Sequence, residues 1–272
     1  MKRKKILHIA QEIHPYVSEG EAALAEYSVI KAISTKGGEV RVFMPKWGEV
    51  NERRNQLHEV IRLSGLNIDV DDSDHSLIIK VANIQALRTQ IYFIDNDDFF
   101  TGRLMAYDEG GKVYADNVHR AAFYARGVLE TVKRLRWNPD IIHCHGWMSA
   151  IAVLYIKELY RDLPQFEHAK VVFSAYDDML IGQSTEDFLG AISHKEVNAE
   201  SLAKMGLDTT KYDALYQIAL QYADAFVAAT ADVPAEVLAF AEERGLPMLH
   251  YNEEQDLATI YSDFYSQLTA GE

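Results

Sequence analysis

Short apolar runs alternate along the chain with longer stretches in which apolar residues recur at helical spacing. The apolar runs have strand length and cover residues 5–10, 40–44, 140–143, 169–174 and 225–228. The helical stretches cover residues 21–34, 116–136, 147–159, 232–244 and 253–268, with shorter ones at 194–205 and 209–222. A 3.6-residue spacing predicts amphipathic helices, and a continuous apolar run predicts a strand buried on both faces. The alternation predicts the α/β class: a single domain, residues 1–272, with a mainly parallel sheet flanked by helices.

The segment between residues 58 and 94 has a different pattern. It contains three short runs, reading VIRLSGLNIDV, SLIIKVANI and TQIYFID. Alternating apolar and polar residues predict antiparallel strands here, or an excursion at the edge of the sheet. The loop at residues 96–111 is rich in Asp, Phe and Gly, and its length indicates a functional or a mobile segment.

The stretch at residues 137–160, reading WNPDIIHCHGWMSAIAVLYIKELY, organises the rest of the chain. Its buried strand, glycine turn and helix form half of a β-α-β unit, which makes the predicted domain Rossmann-like. Ligands of open parallel sheets lie beyond the carboxyl ends of such strands, so we expect a site near His143, His145, Gly146 and Trp147. The two histidines alternate on one strand face, a spacing that could hold a metal. Because no third ligand is near in sequence, we expect hydrogen-bonded histidines and no metal or other cofactor.

The charge balance narrows the expected partners. Lys and Arg number 27 and Asp and Glu number 41, so the net charge is −14. Such a surface repels phosphate backbones and anionic lipid, so we expect neither nucleic acid nor a membrane as a partner. The basic run KRKK at residues 2–5 precedes too short an apolar segment for a signal peptide. A single cysteine, Cys144, excludes an internal disulfide and suits a reducing cytoplasm.

Several segments in order carry a resemblance to a known family. They read KILHIAQEIHPYVSEGEAALAEY, VRVFMPKWGEV, WNPDIIHCHGWMSAIA, KVVFSAYDD and YADAFVAATADVPAEV. From about residue 5 to about residue 237 the chain resembles the N-terminal, acceptor-side domain of bacterial glycogen and starch synthases. Those enzymes transfer glucose from ADP-glucose to an α-1,4-glucan and have two Rossmann-like domains, the GT-B arrangement. The resemblance implies half of a GT-B fold, without the second domain that holds most of the donor.

The resemblance also assigns candidate substrate-binding residues, which are Gly20, His145, Trp147, Tyr176 and Asp177. The family motif Lys-Thr-Gly-Gly-Leu, which suits a diphosphate, corresponds to SEGEA at residues 18–22, with two carboxylates at the helix start. The motif His-Asp-Trp-His corresponds to HGWM at residues 145–148, and His-Asn corresponds to Tyr176-Asp177. Tyr176 could stack on a sugar ring. No residue is assigned a catalytic role, since the polar groups that contact the donor have changed together.

Two functions of different classes follow from these substitutions. In the first, the chain is a glycogen/starch-synthase-like protein of α-glucan metabolism that is not expected to transfer glucose alone. In the second, it is a non-catalytic relative that binds glucan, or that pairs with another protein in a regulatory role. The expected partners are therefore an α-glucan or a partner protein, and the pattern does not fix the oligomeric state.

The last helical stretch, residues 253–268, carries one continuous apolar stripe. The stripe consists of Leu257, Ile260, Tyr261, Phe264 and Leu268. We expect this helix to pack on the domain as a brace, because an isolated helix of about sixteen residues is only marginally stable in water. Five large apolar residues on one face also suit a partner's groove, which is the alternative.

Overall fold

The computed structural model describes residues 4–17, 20–178, 180, 188–206, 211, 213–251 and 256–270. Within these residues the chain forms ten strands: β1 (Lys5–Ile9), β2 (Glu39–Pro45), β3 (His58–Glu59), β4 (Leu66–Val70), β5 (Ser73–Ile84), β6 (Thr89–Asp95), β7 (Ile141–His145), β8 (Lys170–Ala175), β9 (Ala225–Ala228) and β10 (Met248–Leu249).

The described residues also form eight α-helices: α1 (Glu21–Thr35), α2 (Asn117–Leu135), α3 (Ala150–Glu158), α4 (Phe188–Ile192), α5 (Ala199–Ala203), α6 (Ala214–Tyr222), α7 (Ala235–Glu243) and α8 (Leu257–Leu268). None of these helices combines the length and apolar character needed to cross a membrane.

The strands lie in one sheet in the order β10-β9-β8-β7-β1-β2-β6-β5-β3, with β4 paired to β5. The predicted neighbours β8, β7, β1 and β2 lie side by side and parallel, so the predicted α/β, Rossmann-like sheet is confirmed. The neighbouring strands are parallel because each helical crossover returns the chain to the end of the sheet at which the previous strand began.

The segment between residues 58 and 94 is the edge predicted from its alternating pattern. Strands β3, β4 and β5 pair antiparallel, and so do β5 and β6. Strand β6, however, also pairs parallel with β2 and so belongs to the main sheet. Its residues are buried almost throughout, unlike those of β4, because only β6 is covered on both faces.

Several predicted helix boundaries need correction. The helix expected from residue 147 begins with a 3-10 turn, Trp147–Ser149, before α3. Asp232 is not an N-cap, since α7 begins after Pro234. The helix expected at 194–205 is confined to α5, because the backbones of His194 and Val197 pair with each other first. Of the helix expected at 209–222, α6 is the described part, and residues 209, 210 and 212 lie outside the described chain.

The loop at residues 96–111 is held by one buried cation, Arg120 on α2. Its guanidinium donates hydrogen bonds to the carbonyl oxygens of Phe99, Leu104 and Met105 at 2.6–2.9 Å. The side chain is fully buried and also lies over the ring of Trp47. The loop is therefore fixed to α2 along its length.

The two faces of the sheet have different cores. Side chains alternate between the faces of a strand. The larger core includes Ile142, Cys144 and the inward residues of α2, α3 and α6. The smaller one lies under α1 and α8 and includes Ile6, Ile141 and Val172 together with Val29 and Phe264. The residues of β7 that face α1 and α8 continue this second row with His143 and His145, so the row becomes polar toward the carboxyl end.

Helix α8 packs on the second face, beside α1. Tyr261, Phe264 and Tyr265 are buried, and Leu257 and Leu268 are half-buried against the same cluster. Asp256 caps the helix by accepting a hydrogen bond from the Ala258 N–H at 3.1 Å. Residues 253–255 of the expected helix lie outside the described chain. The packed stripe favours the bracing role over a free binding face.

Replacing Phe264 by Ala should destabilise the domain by roughly 3–5 kcal/mol, because the buried ring leaves a cavity in the smaller core. Chemical denaturation measures this free energy of unfolding. The matched control is Asp263→Ala, an exposed neighbour on α8, which should change it by less than about 0.5 kcal/mol. A Phe264→Ala variant that unfolds like the unmodified protein while losing self-association would show that the stripe is an interface.

Candidate functional site

Three histidines lie together on one face at the carboxyl ends of the two central strands. His8 on β1 and His143 on β7 are register partners in a parallel pair, so their side chains point to the same side. His145 lies two residues further along β7 and therefore shares that face. All three are buried, at 0%, 0% and 2% exposure. The premise that no third ligand accompanies His143 and His145 therefore fails in the fold, because His8 arrives from a strand distant in sequence.

A buried carboxylate from α1 joins this cluster. Glu26 Oε1 lies 2.8 Å from His8 Nδ1, and Glu26 Oε2 lies 2.8 Å from His145 Nδ1. His145 Nε2 in turn lies 3.1 Å from His8 Nδ1. Burial alone would raise the pKa of Glu26, but the imidazoles of His145 and His8 lower it to about 2. Burial lowers the pKa of His145. At neutral pH the carboxylate is thus ionised, with Oε1 hydrogen-bonded to His8 and Oε2 within ion-pair distance of His145.

His143 connects the cluster to the last helix. Its Nδ1 lies 2.6 Å from Tyr265 Oη on α8, and its Nε2 lies 2.7 Å from Ser174 Oγ on β8. Burial lowers the pKa of His143 well below its ordinary value. A neutral imidazole donates at one nitrogen and accepts at the other, and each hydroxyl can serve either role. The hydrogen bonds of His143 are therefore complete within the protein.

The turn after β7 is closed by two other side chains. Gly146 has φ of 71° and ψ of 177°, a conformation that is open essentially to glycine alone. A Cβ at this position would lie 2.1 Å from Gln11 Oε1 and 2.7 Å from Asp178 Oδ2. Gln11 Nε2 donates a hydrogen bond to Asp178 Oδ2 at 2.6 Å, across the glycine. Where the resemblance places an aspartate of the family motif, this chain has the Gln11–Asp178 hydrogen bond.

The carboxyl group of Asp178 has a raised pKa at this position. Removal from water raises the pKa of its carboxyl to about 7, with smaller contributions from the charges of Glu12 and Asp177, against the hydrogen bond from Gln11. Burial also raises the pKa of Glu12. Because burial disfavours a negative charge on both carboxyl groups, it also disfavours a phosphate at this edge.

The helix N-terminus that suits a diphosphate in the family is acidic here. Gly20 is the N-cap of α1, with φ of −79° and ψ of 157°, and makes no side-chain cap. Glu21 occupies the first turn, and Glu12 Oε2 lies 3.6 Å from where a Cβ of Gly20 would be. These carboxylates satisfy the positive end of the helix dipole and would repel an anion. Ser18 and Glu19, the other altered positions of this motif, lie outside the described residues.

The remaining candidate residues lie in different surroundings, and one of them contacts His145. Trp147 is buried at 1% exposure within the larger core, and Met148 is also buried there. Asp177 is exposed. Tyr176 is buried, and its hydroxyl lies 2.9 Å from His145 Nδ1. Of the five predicted residues, His145 and Tyr176 come within hydrogen-bond distance of each other.

A cavity of about 280 Å³ adjoins Tyr176, between α1, α8 and the carboxyl end of β9. Its walls include Tyr176, Tyr251, Tyr261 and Leu24. The hydroxyl of Thr230, another wall residue, is buried and has no hydrogen-bond partner in the part of the chain that the structure describes. Tyr176 therefore links this cavity to the histidines, since it lines the cavity and its hydroxyl contacts His145.

Sequence reasoning missed His8, Glu26, Gln11 and Tyr265 as members of this region. One signal was available for Glu26, which lies three residues after Ala23 and four before Ile30 on the buried stripe of α1. A carboxylate on an apolar stripe indicates a buried ion pair. The others depend on strand register and loop course, which the apolar pattern does not specify.

Comparison with known proteins agrees with this fold. The family model of the starch synthase catalytic domain matches residues 5–249. A glycogen synthase of Pelodictyon phaeoclathratiforme is 34% identical over 174 residues, which cover 64% of this chain and 36% of that protein. A glycogen synthase of Chlorobaculum tepidum is 36% identical over 172 residues, covering 62% and 35%.

The solved catalytic domain of starch synthase IV from Arabidopsis thaliana, bound to ADP and acarbose, has a similar fold. It superimposes with a TM-score of 0.72 at 18% identity, covering 91% of this chain and 51% of that chain. The chain belongs to the starch synthase catalytic domain family, and its fold is that of one half of a GT-B glycosyltransferase. It matches about a third of the length of its curated glycogen synthase relatives.

Replacing Gly146 by Ala should destabilise the domain by about 1–3 kcal/mol, because an L-residue is strained at this φ and ψ. The new methyl group would also displace Gln11. Gly20→Ala is the control, since its backbone is extended and its new contact ordinary, and should cost less than about 1 kcal/mol. Urea denaturation compares the two variants. Equal effects would mean that the turn is not conformationally restricted.

Replacing Asp178 by Asn should remove a pH-dependent loss of stability. The folded pKa of about 7 exceeds the ordinary 3.8, so the folded state binds more protons between these values and loses stability as pH rises through them. The variant should therefore gain stability relative to the unmodified protein from pH 5 to pH 8, by on the order of 2 kcal/mol.

Thermal or urea denaturation at both pH values measures this difference. Asp177→Asn, at the exposed neighbouring carboxylate, is the matched control and should show little pH-dependent gain. A gain of the same size at pH 5 and pH 8 for Asp178→Asn would contradict the raised pKa.

Proposed function

We propose that this chain acts as the acceptor-side domain of a glycogen/starch-synthase-like protein of α-glucan metabolism and does not transfer glucose from ADP-glucose by itself. One observation supports the proposed lack of glucose transfer. The Gln11–Asp178 hydrogen bond crosses Gly146 and fills the carboxyl edge of the sheet with the chain's own side chains. A sugar at this edge would have to displace that pair.

The chemistry of the neighbouring positions supports the same proposal. Catalysis of glycosyl transfer requires groups aimed at charge that develops on the donor, and each such contact contributes about 2–4 kcal/mol in a preorganised site. Here His145 is held by Glu26 and Tyr176, and Met148 is a buried thioether that exchanges no proton. Carboxylates occupy the helix terminus that would receive a diphosphate. These features favour a non-catalytic, pseudoenzyme character for the domain.

The alternative function, glucan binding without transfer, has one specific observation in its favour. The cavity beside Tyr176 is lined by tyrosines and by Thr230, whose buried hydroxyl has no partner among the described residues. Aromatic faces and hydroxyl groups are the side chains on which a sugar ring can stack and bond. Titration with maltooligosaccharide tests it, since Thr230→Val should weaken binding if a sugar hydroxyl occupies the cavity.

The proposal includes a cytoplasmic location. Cys144 is a free thiol buried in the larger core, and burial raises its pKa far above the ordinary value. A chain whose one cysteine is held as an unreactive thiol is suited to a reducing compartment.

The purified chain should incorporate no labelled glucose from ADP-glucose into glycogen above the level without enzyme. The physical reason is the loss of several donor contacts at once, which leaves a rate near background. The Chlorobaculum tepidum glycogen synthase, assayed in parallel, provides the positive control. Incorporation above background by a preparation free of other synthases would contradict the proposal.

A further inference from the structure

Among the described residues, one buried imidazole nitrogen of the three-histidine cluster has no hydrogen-bond partner. His8 Nε2 is fully buried and accepts or donates no hydrogen bond within the described residues. Buried polar groups are normally paired with protein, water or an ion, and an unpaired one points to a missing partner. This atom lies on the same sheet face as His143 and His145.

The position of Glu26 fixes which imidazole atoms remain available. Its two oxygens lie 2.8 Å from the Nδ1 atoms of His8 and His145, so in the tautomers that would suit a metal each Nδ1 carries the proton and faces the carboxylate. Their Nε2 atoms are then lone-pair donors. A carboxylate that holds the far nitrogen of a histidine is the usual support of a metal-ligating imidazole.

The spacing of the three residues suits one ion. One nitrogen from each of His8, His143 and His145 lies within 4.8 Å of one from each of the others. Nitrogen ligands of a tetrahedral Zn²⁺ lie at about 2.0–2.1 Å from the metal, so the rings need to move inward by roughly 1 Å. His143 can make this move by exchanging its Ser174 bond while Tyr265 keeps its Nδ1.

We propose that His8, His143 and His145 form a binding site for a divalent transition metal, with Zn²⁺ as the expected ion and Glu26 as the supporting carboxylate. Imidazole nitrogen is a preferred ligand of this class of ion. The carboxylate of Glu26, at 1% exposure, lies 2.8 Å from the Nδ1 atoms of two of these imidazoles. A site this deeply buried is structural, joining β1, β7, α1 and α8.

An entry route lies beside the site. The cavity of about 280 Å³ is lined by Tyr176 and Tyr261. Tyr176 contacts His145, and the ring of Tyr261 lies 6.1 Å from that of His143. These two rings lie between the proposed ion and the cavity, so an ion passes only when they shift. We therefore expect slow exchange of the metal with chelators.

The test uses the full chain, prepared without an affinity tag, and measures metal content and thermal stability. After dialysis against Zn²⁺ and removal of free ion, elemental analysis should find about one Zn²⁺ per chain, and the melting temperature should rise with added Zn²⁺. His8→Gln should weaken binding at least tenfold, and the exposed control His168→Gln should not. Glu26→Gln should weaken it about 10–100-fold, as a supporting carboxylate does.

A spectroscopic measurement keeps the test decisive if His8→Gln fails to fold. Co²⁺ added to the unmodified chain should give the visible absorption bands of a tetrahedral ion, and Zn²⁺ should abolish them. Less than about 0.1 ion per chain without a change in melting temperature would overturn the proposal, leaving a buried water or proton as the partner of His8. Equal Zn²⁺ binding by His8→Gln and His168→Gln would overturn it as well.

Discussion

The buried carboxylate of Glu26 is the interaction on which this side of the molecule depends. It lies between α1 and the sheet at 1% exposure, with one oxygen hydrogen-bonded to His8 and the other 2.8 Å from His145 Nδ1. An ionised group removed from water is costly unless each of its oxygens is paired, so the two imidazoles must stay in position. Through His143 and Tyr265 the same network extends to α8. Polar contacts therefore link α1, the two central strands and the last helix beside the apolar residues of the smaller core.

The polar groups at the carboxyl edge are consequently engaged with one another. In open α/β sheets this edge is where ligands bind. Here His145 is held by Glu26 and Tyr176, and Gln11 bonds Asp178 across Gly146. The family relationship and the fold are those of a starch synthase catalytic domain, while the local chemistry favours internal bonding over contact with a donor. The chain thus combines one half of the GT-B fold with polar contacts made among its own side chains.

The apolar pattern was sufficient to predict the central sheet, because buried parallel strands read as continuous apolar runs and their crossovers have one hand. It placed β1, β2, β7 and β8 as neighbours and the stripe of α8 on the domain. The polar centre was less accessible. Whether His8 meets His143 depends on strand register, and whether Glu26 meets either depends on the rotation of α1. Tyr265, next to Phe264, was left out of the predicted stripe, yet it is the α8 residue that bonds the sheet.

The candidate site residues were also predicted only in part. The resemblance selected His145 and Tyr176, which do lie in contact, but it also selected Trp147 and Asp177, one buried in the opposite core and one exposed. A motif gives the residue types at the positions of a site. It does not record that a glycine at residue 146 admits two side chains from distant loops.

The most direct test of the central interaction is a double-mutant cycle between Glu26 and His145, measured by urea denaturation in chelator-containing buffer. Glu26→Gln, His145→Gln and the double variant give the coupling free energy between the two groups. A buried charged hydrogen bond predicts a coupling of about 1–3 kcal/mol. The exposed pair Glu200–Lys204 should give less than about 0.5 kcal/mol in the same cycle. Additive effects for Glu26 and His145, within about 0.3 kcal/mol, would contradict the account that this carboxylate holds α1 to the sheet.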